Sequence, residues 1–247
     1  MNPLSSNIEN FWDNKTRAEA YSQLEFPNTY YLAYRDLPKI ISEHVKGSRA
    51  IDFGCGTGRS TRFLKKLGFE TIGIDISIEM LQIARISDIS SNYQLVTNGT
   101  YDHLGIGKFD LVQSIFTFDN IPGWVNRINI LNGLSRLLDS GGKLILLDSS
   151  PELYTNEWAS FSTKDFPSNW NAKTGDIVYD IMLDVEDRRP CEDIFWSVSD
   201  YHKLFKDAGL SLDATYKPLG SEDEPFNWVS ETHMAPWLIF VLSKHSF

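Results

Sequence analysis

Cysteine is almost missing from this chain: there are two in 247 residues, Cys55 and Cys191. That is too few for a disulfide framework or a cysteine-built zinc site. The five histidines, at 44, 103, 202, 233 and 245, fall into no metal-ligand spacing, so no metal is expected. Positive charge is also scarce, with 23 Lys and Arg against 33 Asp and Glu for a net charge of −10. This argues against a nucleic-acid surface, which needs a basic stripe to displace counterions. No apolar run approaches the roughly 20 residues of a membrane helix, and MNPLSSNIENFWDNK lacks the basic-then-apolar order of a signal peptide. The expectation is a cytoplasmic globular protein, monomer or homodimer, whose partner is a small molecule rather than nucleic acid or membrane.

What the chain does contain is an alternation. Short apolar runs (RAIDF, ETIGID, YQLV, FDLVQSIF, GKLILLD) alternate with helical stretches (STRFLKKLG, SIEMLQIARI, NRINILNGLSRLL). That rhythm predicts βαβ units and a parallel sheet. LILL and DLVQSI are apolar on both sides, as strands covered by helices on both faces should be. Ahead of the first strand, Ile8, Phe11, Trp12 and Lys15 repeat at helical spacing, as do Tyr30, Tyr34, Leu37 and Ile41, with Asp36 before Pro38 marking a helix start. Residues 1–45 are therefore read as a helical lid and 46–247 as an α/β core. Between 149 and 195 the rhythm breaks into an aromatic insertion with a single strand-like stretch, DIVYDIMLDV. A helix over about 199–208 follows, with Ser199 as N-cap and Gly209 as C-cap, then strands at LSLDATY and WLIFVL.

The densest signal is Asp52-x-Gly54-x-Gly56-x-Gly58, at the junction of a strand and a helix. Glycine there lets a ligand approach the backbone amides and the positive end of a helix. The dinucleotide fingerprint G-x-G-x-x-G does not fit, because its third position would be Arg59 or Thr61, and no phosphate-loop Lys-Ser/Thr follows. An acid at the strand end repels phosphate; it suits an amine-bearing ligand or holds the loop's own amides. Asp75 ends the next strand 21 residues after Gly54, near the spacing expected for a carboxylate on ribose hydroxyls.

AIDFGCGTG, IGIDISIEMLQIAR, FDLVQSIF and LLDSGGKLILLD resemble the successive motifs of class I S-adenosylmethionine-dependent methyltransferases. SVSDYHKLFKDAGL and APWLIFVL are similar to that family's closing helix and antiparallel strand. The resemblance implies a Rossmann-like fold with a seven-stranded, mostly parallel sheet whose last strand is antiparallel. It places Gly54, Cys55, Gly56 and Gly58 against the methionine part of S-adenosylmethionine, with Asp52 near its amino group or the loop. Asp75 would take the ribose, and Ile76 and Met80 would flank the adenine. Gly99-Thr100-Tyr101 replace a usual Gly-Asp-Ala near the adenine amine, and Ser114 and Phe116 would border the methyl-donor end.

Methyl transfer is an in-line displacement that consumes the sulfonium charge, so alignment and a dry pocket do most of the work. A base is needed only when the acceptor carries a proton. Asp119, within Phe118-Asp119-Asn120 after the fourth strand, is the first candidate for it, and His233 the second. Tyr30, Tyr31, Tyr34, Phe118, Asn120, Trp158 and Trp170 are the expected substrate-side residues, and dry walls beside a positive cofactor suit an aromatic or anionic acceptor. The leading function is methyl transfer to O, N or C of a small molecule. A cofactor-binding protein of the same fold without transfer, such as a cyclase, lyase or regulatory partner, is the alternative.

Overall fold

A computed structural model describes residues 15–97 and 99–245 of the chain; the helical pattern at Ile8, Phe11 and Trp12 lies outside them. Three short helices come first: α1 (Lys15–Ser22), α2 (Thr29–Arg35) and α3 (Leu37–His44). Five strands follow, β1 (Arg49–Phe53), β2 (Glu70–Asp75), β3 (Asn92–Leu95), β4 (Phe109–Ile115) and β5 (Leu138–Ser149). Between them run α4 (Arg59–Lys66), α5 (Ile78–Ser87) and α6 (Trp124–Leu137). After β5 come three short strands, β6 (Phe161–Ser162), β7 (Ile177–Met182) and β8 (Cys191–Ile194). The chain returns to the core with α7 (Val198–Asp207), β9 (Leu210–Tyr216) and β10 (Trp237–Lys244).

The main sheet has the order β3-β2-β1-β4-β5-β10-β9. Its first five strands pair in parallel, while β10 pairs antiparallel with both β5 and β9. The expected Rossmann-like sheet is therefore present, its one reversed strand being the last in sequence but not at the edge. Helices cover both faces. On one side α2 and α3 pack Leu32, Leu37 and Ile41 against Leu111, Ile145 and Ile239. On the other, α6 and α7 pack Ile130, Leu134 and Leu204 against Val112, Leu144 and Phe240. Every residue of β4 is buried, which is why its sequence reads as an unbroken apolar run.

The helix start expected at Asp36 is present: Asp36 is the N-cap of α3, and Pro38 lies in its first turn, where its missing N–H costs nothing. Two details depart from the sequence reading. The N-cap of α7 is Ser197 rather than Ser199: its hydroxyl accepts from the Asp200 amide at 3.1 Å. The insertion holds three antiparallel strands in the order β6-β7-β8 instead of one.

Candidate active site

The order β2-β1-β4 reverses the direction of winding between β1 and β4, and in such sheets a crevice opens at the carboxyl ends of those strands. A cavity of about 1430 Å³ lies there. Its floor is the loop after β1. The amides of Gly54 and Cys55 donate to the Ile74 carbonyl at 2.9 and 3.1 Å, fastening the loop to β2. Gly54 has φ +67°, and a Cβ there would stand 2.3 Å from the Thr117 side chain. Gly56 has φ +53°, but the nearest atom to its virtual Cβ is Met80 Sδ at 4.0 Å, so its bare face looks into open space. Asp75 closes the floor: one carboxylate oxygen accepts from the Gly56 amide and the other from the Ser77 amide, both at 2.8 Å. Ile76 and Met80 line the cavity beside it.

Asp52 does something else. It is fully buried and absent from the cavity wall. Its Oδ2 accepts from Ser60 Oγ at 2.7 Å and Thr61 Oγ1 at 2.6 Å, tying the start of α4 to β1. Burial pushes its pKa up to about 6 despite those bonds. Its hydrogen-bond partners are side chains of α4 and β4 rather than the loop amides. Gly58 is a packing glycine, since a Cβ there would meet Tyr93 Oη at 2.3 Å.

Several other expected positions fall outside the cavity. Gly99 and Thr100 line a separate depression with Asn132 and Arg136, and Tyr101 is buried edge-on against Phe53. Ser114 and Phe118 are buried in the core beneath the floor. Tyr31 packs on Phe226. Trp158 is buried and donates its Nε1–H to the Leu153 carbonyl at 2.8 Å, whereas Trp170 projects into solvent with 69% exposure. His233 sits exposed on a turn before β10, its amide bonded to the Ser230 carbonyl, and does not reach the cavity.

Tyr30, Tyr34, Cys55, Phe116, Asp119 and Asn120 do meet at the cavity. Phe116, with φ +54°, turns the chain sharply after β4 and sets its ring 4.6 Å from Trp237 and 5.7 Å from Tyr30. Arg59 lies beneath the tyrosines, 5.0 Å from the ring centres of Tyr21 and Tyr30. It donates to Tyr21 Oη at 2.7 Å and to the Glu25 carbonyl at 2.9 Å. Sequence reasoning passed over Arg59 because it counted only as a break in the glycine motif. An arginine directly after the third glycine of the loop was the available signal.

The opposite wall comes from the insertion. Along β7, Val178, Asp180 and Met182 share the buried face, and Asp180 pairs in register with Cys191 of β8. Asp193 of β8 accepts from Tyr154 Oη at 3.1 Å. Asp119 accepts from Asn120 Nδ2 at 2.8 Å and Ser149 Oγ at 3.1 Å. Burial raises the pKa of all three acids; Asp119 adds repulsion at Asp180, and both do so at Asp193. Nothing in the sequence signalled Asp180, which lies within the one strand-like stretch of the insertion, or Asp193, which lies beyond it.

A model of the methyltransferase domain matches residues 27–215. Among curated relatives, a ubiquinone biosynthesis O-methyltransferase of Xanthomonas oryzae pv. oryzae is 29% identical over 106 residues, 41% of this chain and 43% of that protein. A demethylmenaquinone methyltransferase of Tropheryma whipplei is 34% identical over 108 residues, 42% of this chain and 43% of that one. The matched segment thus spans less than half the length of these relatives. Among solved structures, the CcbJ methyltransferase of Streptomyces caelestis superposes with a TM-score of 0.64 at 17% identity, covering 93% of this chain and 96% of that one. An S-adenosylmethionine-dependent methyltransferase of Clostridium acetobutylicum gives 0.60 at 15%, covering 92% and 94%. With the sheet order, the glycine loop and the match over most of its length, the chain belongs to the class I S-adenosylmethionine-dependent methyltransferase family.

Proposed function

We propose that this protein transfers a methyl group from S-adenosylmethionine to O, N or C of a small-molecule acceptor. One observation carries the reading: the glycine floor and the insertion wall enclose a single cavity, large enough for a cofactor and an acceptor together. The residues fit the cofactor. The open face of Gly56 admits close backbone approach, and Asp75, held by the Gly56 and Ser77 amides, lines the cavity beside it as a carboxylate suited to ribose hydroxyls. Arg59 is a buried cation on the same cavity, suited to the cofactor's carboxylate under the hydroxyls of Tyr21, Tyr30 and Tyr34. Bound S-adenosylmethionine supplies an electrophilic methyl on a sulfonium.

The chain's own contribution is orientation, exclusion of water and proton handling. Phe116, Tyr30 and Trp237 form dry aromatic walls, which favour a displacement that loses charge. Asp119 has a carboxyl shifted upward by burial, which makes it a stronger proton acceptor than an exposed carboxylate, and an acceptor's proton could go to its Oδ1 or Oδ2. The lid role of the N-terminal helices and of residues 149–195 belongs to the same proposal, since Tyr21, Tyr30 and Asp180 all come from them.

Titration calorimetry with S-adenosylmethionine tests the cofactor assignment. Asp75→Ala should weaken binding about ten- to a hundredfold, the loss of one or two hydrogen bonds to a charged group. Unchanged affinity would remove Asp75 from the ribose. A metabolite-extract screen with methyl-labelled cofactor then tests transfer, and a single labelled product is expected.

A further inference from the structure

Three carboxyls reach the insertion side of the cavity from three different elements: Asp119 from the turn after β4, Asp180 from β7 and Asp193 from β8. Two of them have partners. Asp180 does not: it is 3% exposed, lines the cavity, and its Oδ1 is buried with no hydrogen-bond partner among the described residues. A buried acid left without a donor is costly, and the strand register holds this one there regardless.

None of the nearby cations bonds to Asp180 among the described residues. Arg59 bonds to Tyr21 Oη and the Glu25 carbonyl. Arg17 bonds to the Pro190 carbonyl and approaches Asp187 at 4.0 Å. Arg127 lies behind the wall, 3.8 Å over the Trp196 ring, and does not line the cavity. Among the described residues no three acidic, His or Cys side chains converge closely enough to hold a metal ion, so the missing charge belongs to something larger. The rings of Tyr30, Phe116, Phe161 and Trp237 line the same cavity, the surroundings in which an organic cation gains further from aromatic faces.

We propose that the acceptor side of this cavity recognises a protonated amine, with Asp180 as its principal counter-charge and Asp119 and Asp193 beside it. This rests on the methyl-transfer reading and narrows it: the acceptor is an amine-bearing small molecule, not the anionic one that dry walls alone would suit.

The test uses the full chain and three probes of one shape, benzylamine, benzyl alcohol and benzoate, titrated at pH 7.5 with and without S-adenosylhomocysteine. Benzylamine should bind at least tenfold more tightly than either isostere. Asp180→Asn should lose about tenfold or more in benzylamine affinity while keeping its affinity for S-adenosylhomocysteine within twofold, which also shows that the variant is folded. Asp193→Asn, whose partner Tyr154 can still donate to the amide oxygen, should lose part of that affinity. The proposal is overturned if the alcohol or benzoate matches benzylamine, if none of the three binds, or if Asp180→Asn leaves the amine's affinity unchanged. Failure of S-adenosylhomocysteine to bind, with benzylamine still bound, would sink the cofactor reading and leave the amine site standing.

Discussion

Two glycines two residues apart in the loop after β1 carry different loads. At Gly54 both the left-handed φ and the Thr117 side chain oppose a Cβ; at Gly56 only the φ does. Gly54→Ala should therefore lower stability by about 1–3 kcal/mol through backbone strain and crowding. Gly56→Ala should cost less stability and more cofactor affinity, because its methyl would enter the cavity. Chemical denaturation and calorimetry on the two variants read these separately, and equal losses in both would contradict the division. Legibility at this scale was uneven. The glycines and the place of Asp75 were legible because a backbone needing φ above zero restricts residue type, and the alternation of strand and helix marks where β2 ends. Asp52 misled because a sequence position at a strand end does not say on which side of the sheet a side chain lies. In the fold it points to the hydroxyls of Ser60 and Thr61.

Elements far apart in sequence are joined over the cavity by one buried side chain. Glu231 Oε1 accepts from Thr29 Oγ1 at 2.5 Å and the Ala159 amide at 2.8 Å, while Oε2 accepts from the amides of Val229 and Ser230 at 2.8 and 3.1 Å. Trp237 adds an Nε1–H bond to the Thr29 carbonyl at 2.8 Å. Helix α2, the insertion and the approach to β10 thus share one anchor. Glu231→Gln places an amide N–H₂ where one pair of donors points, at a cost of about 2–3 kcal/mol. Its equilibrium unfolding midpoint should fall accordingly, and an unchanged midpoint would show the anchor to be dispensable. The central strands of the main sheet were legible because burial on both faces demands an apolar run, as in β4 and β10. β6 and β8 were not, because two residues of one and CEDI of the other are strands only through pairing with β7. The acid-lined wall went unread for the same reason.

At the scale of the whole molecule, five buried carboxyls set the response to pH. Asp52, Asp119, Asp148, Asp180 and Asp193 all have pKa values raised chiefly by burial. A carboxyl raised on folding binds protons more tightly in the native state, so stability falls as pH rises through its native value. For Asp52 that window runs from about 4 to about 6. Asp110 and Asp187, held low by Arg49 and Arg189, act oppositely and lose their contribution below about pH 4. The melting temperature should therefore climb by several degrees from pH 7.5 to 5 and drop below 4, with Asp52→Asn flattening part of the climb. A melting temperature that falls steadily from 7.5 to 5 would refute this. The sheet order has a consequence for synthesis. β10 follows every other strand in the sequence yet fills the slot between β5 and β9. On the ribosome, β1 to β5 emerge while β5 still has a bare edge and Trp237 has not arrived to wall the cavity. A nascent chain can thus own a finished cofactor floor before it owns any acceptor chamber, and its unpaired β5 edge is the place where a chaperone, or a second unfinished chain, would attach.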